Sequence, residues 1–361
     1  MNVRALLIVI SVSTVIFSCK KTNVSFEVKT SDLEDAIRLE KFFASHAPQY
    51  EDFTLDATAG GTVRLANGTE INFPSNSFRK RDGNITTGSI KIKAKIILEP
   101  KTMILANKPT IAANGQMLES FGEIIVFATQ GNDTLEMSPA TVQRPATVIV
   151  PIGTANGQAR KEIPMWKGDT TITYTQNGYN HENQSVSVSV SEQYAIVNGM
   201  IWDQIAGSGF SDGSKSTFPL DGLNNWRNCD IFYNDPRPKT TVLGYFGDKF
   251  NTETGNFAGT HSPSILFFKT KGTNTLINFT QIIMTPAPGK EGFLSYQNSI
   301  PVGQEGTFLA LSSKNGKFYA DMKRVTIPAP QNGKNYVSFD FNFTEVSESQ
   351  LLNMINQMST E

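Results

Sequence analysis

The sequence predicts an all-β protein with two main β-sandwich domains, a smaller β unit between them and a short helix near each end. Its 361 residues suffice for several domains, and 28 glycines with 24 phenylalanines fit short strands joined by tight turns. Residues 89–98 alternate apolar and lysine residues, which is the period of a strand with one buried face. Asn67-Gly68 lies between two short apolar alternations and is a strong hairpin signal, because both residues tolerate positive φ.

The first eighteen residues have the form of an export signal. Arg4 precedes an apolar run that is shorter than the about 20 residues needed to span a bilayer core. Ile16-Phe17-Ser18-Cys19 resembles a bacterial lipobox, which implies cleavage before Cys19 and a diacylglycerol group on its thiol. We therefore expect a lipoprotein signal peptide over residues 1–18, a tether over 19–29 and an outer-membrane anchor facing the periplasm or the cell surface. An ordinary signal peptide with a chance cysteine is the alternative.

Charge and cysteine usage exclude several classes. Charged residues make up 18% of the chain and the net charge is −1, so nucleic-acid binding is disfavoured. With the lipid anchor using one of two cysteines, neither a disulfide framework nor a cysteine zinc site is expected. His46, His181 and His261 have no ligand-like spacing. A catalytic pair of Cys229 with a histidine stays open, but the strand-like residues 226–232 favour a buried structural cysteine.

One amphipathic helix is expected over residues 30–48. Ser31 and Glu34 form a capping box, Leu33 and Ile37 recur at helical spacing, and Pro48 ends the run. We expect this helix to lie on the first sandwich or to form a stalk, with binding of a partner as the alternative.

The first sandwich is expected over residues 53–152. Strands 62–65 and 70–73 flank the Asn67-Gly68 turn, and the strand beginning at Ser89 should direct Ile90, Ile92, Ala94 and Ile96 into a core while its lysines face water.

Several motifs of this segment resemble a known domain. Gly60-Gly-Thr-Val63, Asn67-Gly68 through Phe73-Pro74, and Asn76-Ser-Phe78 are similar to the β-sandwich shared by zona-occludens proteins, netrin receptors and ankyrins. The continuation through Asn114-Gly115 to Gly122-Glu123 resembles Bacteroidetes-type outer-membrane lipoproteins. The resemblance implies a fold and an interaction or scaffolding role. Some relatives cleave themselves at His-Phe-Ser, which this chain lacks.

The rest of the chain divides by composition. Residues 153–168 are rich in Gly, Ala and Asn and predict a linker at the start of a middle β unit, residues 153–205. Two strands are expected there, 170–175 and 185–191, with Asn177-Gly178 between them. Residues 206–214 predict a flexible stretch at the start of a C-terminal β-sandwich, residues 206–346, and a helix or tail closes the chain at 347–361.

Two sets of residues in the C-terminal half are candidate sites. Paired carboxylates could hydrolyse glycosides or bind calcium, although turn caps are the favoured interpretation. Aromatic side chains could form a sugar platform, although core packing is favoured. The carboxylates are Asp212, Asp230, Asp235 and Asp248, and the aromatic residues are Trp202, Trp226, Tyr233, Tyr245 and Phe246.

The sequence lacks Gly-x-Ser-x-Gly, His-Glu-x-x-His and Walker-type loops. Asp133-Thr-Leu135 and Asp169-Thr-Thr171 match a short O-glycosylation pattern. We therefore expect a lipid-anchored cell-envelope protein that binds a protein or glycan partner without a cofactor, a metal or catalysis. The alternative is a glycan-active hydrolase that uses carboxylates of the C-terminal domain.

Overall fold

A computed structural model describes residues 30–151, 159–169, 171–180, 185–195, 200–247, 250, 263–283 and 288–360. Strands make up 52% and helices 13% of the structure, which confirms the all-β prediction with short helices near the ends. The signal peptide, the tether and Cys19 lie outside the described residues.

Fifteen strands precede residue 233 in the described part of the chain. They are β1 (Glu51–Asp56), β2 (Gly61–Arg64), β3 (Glu70–Phe73), β4 (Phe78–Arg79), β5 (Ser89–Ile97), β6 (Leu118–Gln130), β7 (Asp133–Thr134), β8 (Glu136–Met137), β9 (Ala146–Pro151), β10 (Ala159–Asp169), β11 (Thr171–Asn180), β12 (Ser185–Ala195), β13 (Ile201–Asp212), β14 (Lys215–Leu220) and β15 (Arg227–Phe232). Eleven of them form one sheet in the order β1-β5-β6-β15-β10-β13-β14-β9-β3-β2, with β7 paired to β6.

This large sheet curls around a single apolar core. Its two end strands approach each other, since a Cβ atom added to Gly61 of β2 would lie 2.9 Å from Leu55 of β1. The inward residues of β5 are those that the alternation predicted, and they meet Ile124 and Val126 of β6. Lys91 and Lys93 are exposed as expected.

Hydrogen bonding does not follow the boundaries expected at 152/153 and 205/206. β10 pairs with both β13 and β15, and β15 pairs with β6, so all three expected segments share the large sheet. The physical reason is burial: Ile163, Met165 and Cys229 fill the same core as the strands of the first segment. The expected linker 153–168 therefore contains β10, and most of the expected flexible stretch 206–214 is the end of β13.

The middle segment also contains a separate two-stranded sheet. β11 pairs antiparallel with β12, from Thr171 opposite Ala195 to Asn180 opposite Ser185. The two expected strands are thus present, but Asn177 lies inside β11 at a register shift rather than in the turn.

A second sandwich follows in ten further strands. They are β16 (Lys239–Gly247), β17 (Ser264–Thr270), β18 (Leu276–Asn278), β19 (Gln281–Ile282), β20 (Lys290–Leu294), β21 (Ile300–Pro301), β22 (Glu305–Lys314), β23 (Lys317–Thr326), β24 (Tyr336–Asp340) and β25 (Thr344–Val346). One sheet runs β19-β20-β16-β21, with β24 parallel to β16, and the other runs β18-β17-β22-β23-β25. Aromatic rings fill the space between them; Phe308 lies 4.5 Å from Phe268 and 5.6 Å from Phe341, centroid to centroid.

Three helices cover the outer face of the β17-β22-β23 sheet: α1 (Thr30–His46), α2 (Pro100–Ala106) and α3 (Glu348–Ser359). The expectation that α1 lies on the first sandwich or forms a stalk is wrong. Its Phe42 ring is 5.3 Å from Phe318 of β23, and the buried Asp35 carboxylate accepts hydrogen bonds from the backbone of Asn315 and Gly316 at 2.7 and 2.9 Å. These bonds hold α1 on the second sandwich.

Polar bonds join the second sandwich to the large sheet. Asn274 Nδ2 donates to the carbonyls of Leu98 and Ser120 at 2.7 and 3.0 Å. Leu276 N donates to Thr110 Oγ1 at 2.8 Å, and Thr110 N donates to Leu276 O at the same distance. The two sandwiches therefore meet through paired, buried polar groups.

Candidate functional site

A polar groove opens where the helical cover of the second sandwich ends. On β17, β22 and β23, the apolar row Phe267–Leu309–Met322 lies under the helices. The next row on the same face is Lys269 opposite Thr307, which is opposite Arg324. Strand pairing therefore places one cationic side chain on each side of the Thr307 hydroxyl.

The groove has a volume of about 570 Å³ and is open to solvent, which is within the size range of small-ligand sites. The end of α3 contributes Thr360 to it. Its lining consists of Lys269, Lys271, Glu305, Gly306, Thr307, Arg324, Val325, Thr326 and Thr360. Three cationic side chains thus line the groove against one carboxylate.

The one carboxylate in this lining is held by a lysine. Lys271 Nζ lies 2.6 Å from Glu305 Oε2. This bond lowers the pKa of Glu305 and raises the pKa of Lys271. Glu305 is therefore ionised at neutral pH and is unsuited to act as a general acid.

Lys269 is buried to an extent that is rare for a lysine, with only 4% of its surface exposed. Its Nζ donates to the carbonyl of Thr270 at 3.1 Å. Gly306 lets β22 lie close to β17, because a Cβ atom there would clash with the carbonyl oxygen of Lys269 and the ring of Phe268. The floor of the groove is formed by the paired strands β17, β22 and β23.

The aspartates singled out in the sequence do not form a cleft. Asp212 caps the β13–β14 turn by accepting from the backbone of Ser214 and Lys215, and the Ser214 bonds lower its pKa to about 2. Asp235 is paired with Arg237, whose side chain lowers the Asp235 pKa. Asp230 is not a turn residue as expected; it is fully buried within β15. Asp248 lies outside the described residues.

Asp230 belongs to a buried pair of carboxylates that the sequence reasoning missed. Glu123 of β6 is also fully buried, and burial raises the pKa of both groups well above their ordinary values. Asn228 Nδ2 donates to Asp230 Oδ2 at 2.5 Å, whereas neither carboxylate oxygen of Glu123 has a hydrogen-bond partner among the described residues. A lone glutamate within the apolar run 121–127 was the signal that could have revealed it.

A lysine stands near this pair. Burial lowers the pKa of Lys108 to about 8. Its Nζ lies 5.8 Å from the centre of the Trp226 ring. Glu123 and Asp230 are fully buried, whereas Lys108 and Trp226 are half-buried.

The aromatic candidates are mainly core residues, as the favoured interpretation predicted. Trp202 is fully buried and donates from Nε1 to the carbonyl of Pro109 at 2.9 Å. Tyr245 and Phe246 are buried, and Trp226 and Tyr233 are half-buried. They form no shared platform at the surface.

One exposed aromatic contact was not predicted. Tyr50, 38% exposed, lies under the ammonium of Lys95 at 4.2 Å from the ring centre. Lys95 is consequently half-buried instead of facing water fully, and burial lowers its pKa.

Cys229 is a buried structural residue in the core of the large sheet, as favoured, and burial raises its pKa. His46 Nδ1 lies 2.8 Å from the carbonyl of Phe42 at the end of α1, so it belongs to the helical layer and not to the core that holds Cys229. His181 and His261 lie outside the described residues.

Of the two matches to the O-glycosylation pattern, Thr134 is exposed in β7, and the neighbouring Asp133 carboxylate lies 2.8 Å from Lys80 Nζ. Thr170 of the other match lies outside the described residues.

Within the part of the chain that the structure describes, no three His, Cys, Asp or Glu side chains are grouped closely enough to hold a metal ion. None of the described helices has the length and apolar character needed to cross a membrane.

Comparison with models of protein families gave no match, and comparison with curated proteins gave none either.

Proposed function

We propose that this chain is a lipid-anchored cell-envelope protein that binds a partner without catalysing a reaction, and that the groove beside Lys269 and Arg324 is its binding site. The groove carries this proposal, because it combines a volume suited to a small ligand with a buried lysine side chain on a floor of paired strands. The lipobox around Cys19 supports an anchor at the outer membrane.

The chemistry of the groove favours binding over hydrolysis. Glycoside hydrolysis needs two carboxyl groups about 5–10 Å apart across an open site. The groove lining contains one, Glu305, and Lys271 keeps it ionised. The alternative hydrolase would use carboxylates of the C-terminal domain. Of these, Asp230 is fully buried, Asp235 is paired with Arg237 and Asp212 caps a turn.

The test is a binding screen with a variant that fills the groove. The full chain in detergent is applied to immobilised envelope polysaccharides and to a protein array. Thr326→Trp puts a large ring at the exposed rim of the groove, and Thr54→Trp makes the same change on an exposed face of β1. Loss of a bound partner in Thr326→Trp but not in Thr54→Trp supports the proposal.

Two results would contradict it. A partner that binds both tryptophan variants equally would place the binding site elsewhere. Hydrolysis of any glycan, abolished by Asp235→Ala in a folded protein, would replace the binding function with an enzymatic one.

A further inference from the structure

We infer that the groove binds an acidic saccharide and that Lys269 and Arg324 hold its carboxylate. This inference rests on the proposed function, because it names the chemical class of ligand for the same groove. Three features lead to it: the arrangement of the cationic side chains, the hydroxyls around them and the position of the groove on the sheet.

The two cations are placed to flank one anionic group. Lys269 and Arg324 stand on β17 and β23, on either side of Thr307 on β22. Neighbouring strands are about 4.8 Å apart, so the two backbones are separated by about 10 Å. Long side chains from both sides reach a carboxylate between them, where the guanidinium offers two parallel N–H donors.

Hydroxyl groups surround the cations. Thr307, Thr326 and Thr360 all line the groove, and the ionised Glu305 provides acceptor oxygens at the same end of the strands. A sugar ring presents hydroxyls that both donate and accept, so it matches this lining better than an inorganic anion does. The combination of cations with hydroxyls and a carboxylate selects a saccharide that places one acidic sugar residue in the groove.

The position of the groove argues against an acidic peptide. β22, in the middle of the groove, is hydrogen-bonded to β17 on one side and to β23 on the other, so a peptide strand cannot pair with it. β25 pairs with β23 only from Phe318 to Ala320, so pairing with the edge of β23 beside Arg324 is the route that the poly-glutamate probe tests. Repeated phosphates of a nucleic acid need a long stripe of cations, whereas this lining has three and a carboxylate. A short acidic saccharide needs neither a strand edge nor a long stripe of cations.

The experiment is calorimetric titration of the full chain in detergent with an oligomer of glucuronic acid. The matched probes are the uncharged glucose oligomer, inorganic phosphate and a short poly-glutamate peptide. Arg324→Gln removes an exposed cation of the groove, while Lys323→Gln removes the neighbouring cation, whose side chain faces the other sheet and lies over Phe341. We expect the uronate to bind, with affinity about tenfold or more weaker in Arg324→Gln and within about twofold of the parent in Lys323→Gln.

The remaining outcomes separate this inference from the proposed function. Equal binding of the glucose and glucuronate oligomers, lost in Thr326→Trp, keeps the groove as a binding site and overturns the acidic ligand. Tighter binding of poly-glutamate or of phosphate than of the uronate overturns the saccharide. If Thr326→Trp changes no binding at all, the proposed function fails with it.

Discussion

Replacing Glu123 by glutamine should remove part of the pH dependence of stability. Burial raises the pKa of Glu123 well above its ordinary value of 4.5, so in the folded protein the group stays protonated at pH values where the unfolded chain has released the proton. Between those two pKa values the unfolded state is therefore favoured as the pH rises. One proton of difference changes the free energy of unfolding by about 1.4 kcal/mol per pH unit.

Asp230 contributes in the same direction, because burial also raises its pKa from an ordinary value of 3.8. Through this pair the parent should lose stability as the pH rises, by at most about 2.7 kcal/mol per pH unit, and Glu123→Gln by at most about 1.4 kcal/mol. Glutamine keeps the shape of the protonated acid, so packing is preserved. The double variant Glu123→Gln, Asp230→Asn should lose both contributions.

Urea unfolding at pH 5.5, 6.5 and 7.5 measures this effect, with fluorescence of the buried Trp166 and Trp202 as the signal. The difference in unfolding free energy between parent and Glu123→Gln is plotted against pH, so that groups common to both cancel. That difference should shift in favour of the variant as the pH rises, by at most about 1.4 kcal/mol for each pH unit. A difference that stays constant over this range would show that Glu123 is ionised in the fold and would refute the reasoning.

Three further changes test the anchor and the packing. Cys19→Ala should leave an unprocessed or soluble protein, as judged by membrane fractionation; unchanged membrane association would disprove lipidation. Asp35→Ala removes the carboxylate that accepts hydrogen bonds from the Asn315 and Gly316 backbones and should reduce stability by about 1–3 kcal/mol in urea unfolding, because hydrogen bonds to charged groups are worth about 1.5–3 kcal/mol; Glu34→Ala on the exposed side of α1 should change it little. Phe308→Ala opens a cavity among the aromatic rings of the second sandwich and should cost about 3–5 kcal/mol, against less than about 0.5 kcal/mol for the exposed Phe210→Ala; equal effects would contradict the described core.

Local patterns in the sequence were sufficient to predict strands with alternating buried and exposed residues and turns with a characteristic pair of residues. The alternation of residues 89–98 predicted the inward face of β5, and Asn67-Gly68 predicted the β2–β3 hairpin, where Gly68 has a φ of 87°. The helix or tail expected over residues 347–361 is α3, and its capping residue is Ser347. Each of these signals acts within a few residues.

Pairing between distant segments was not predictable in this way. The glycines of residues 206–209 suggest flexibility, yet these residues belong to β13. A glycine is needed at position 209 because the backbone there approaches Cys229 and Phe218 too closely for any side chain. The groove was missed for the same reason, since Lys269 and Arg324 are distant in sequence and only the β17-β22-β23 pairing brings them to one face. Glu123 was missed as well, because the strand pattern of residues 121–127 does not reveal that both faces of this part of β6 are buried.

The helical layer over the second sandwich has a consequence for dissecting the chain into fragments. α1, α2 and α3 come from three separate stretches, yet they cover one apolar face that includes Phe267, Leu309 and Leu311. A fragment of residues 206–361 would carry that face without two of its three covers, and exposed apolar area of this kind promotes self-association. We therefore expect the second sandwich to be poorly soluble when expressed alone, because two of the helices that cover its apolar face precede its strands by more than a hundred positions.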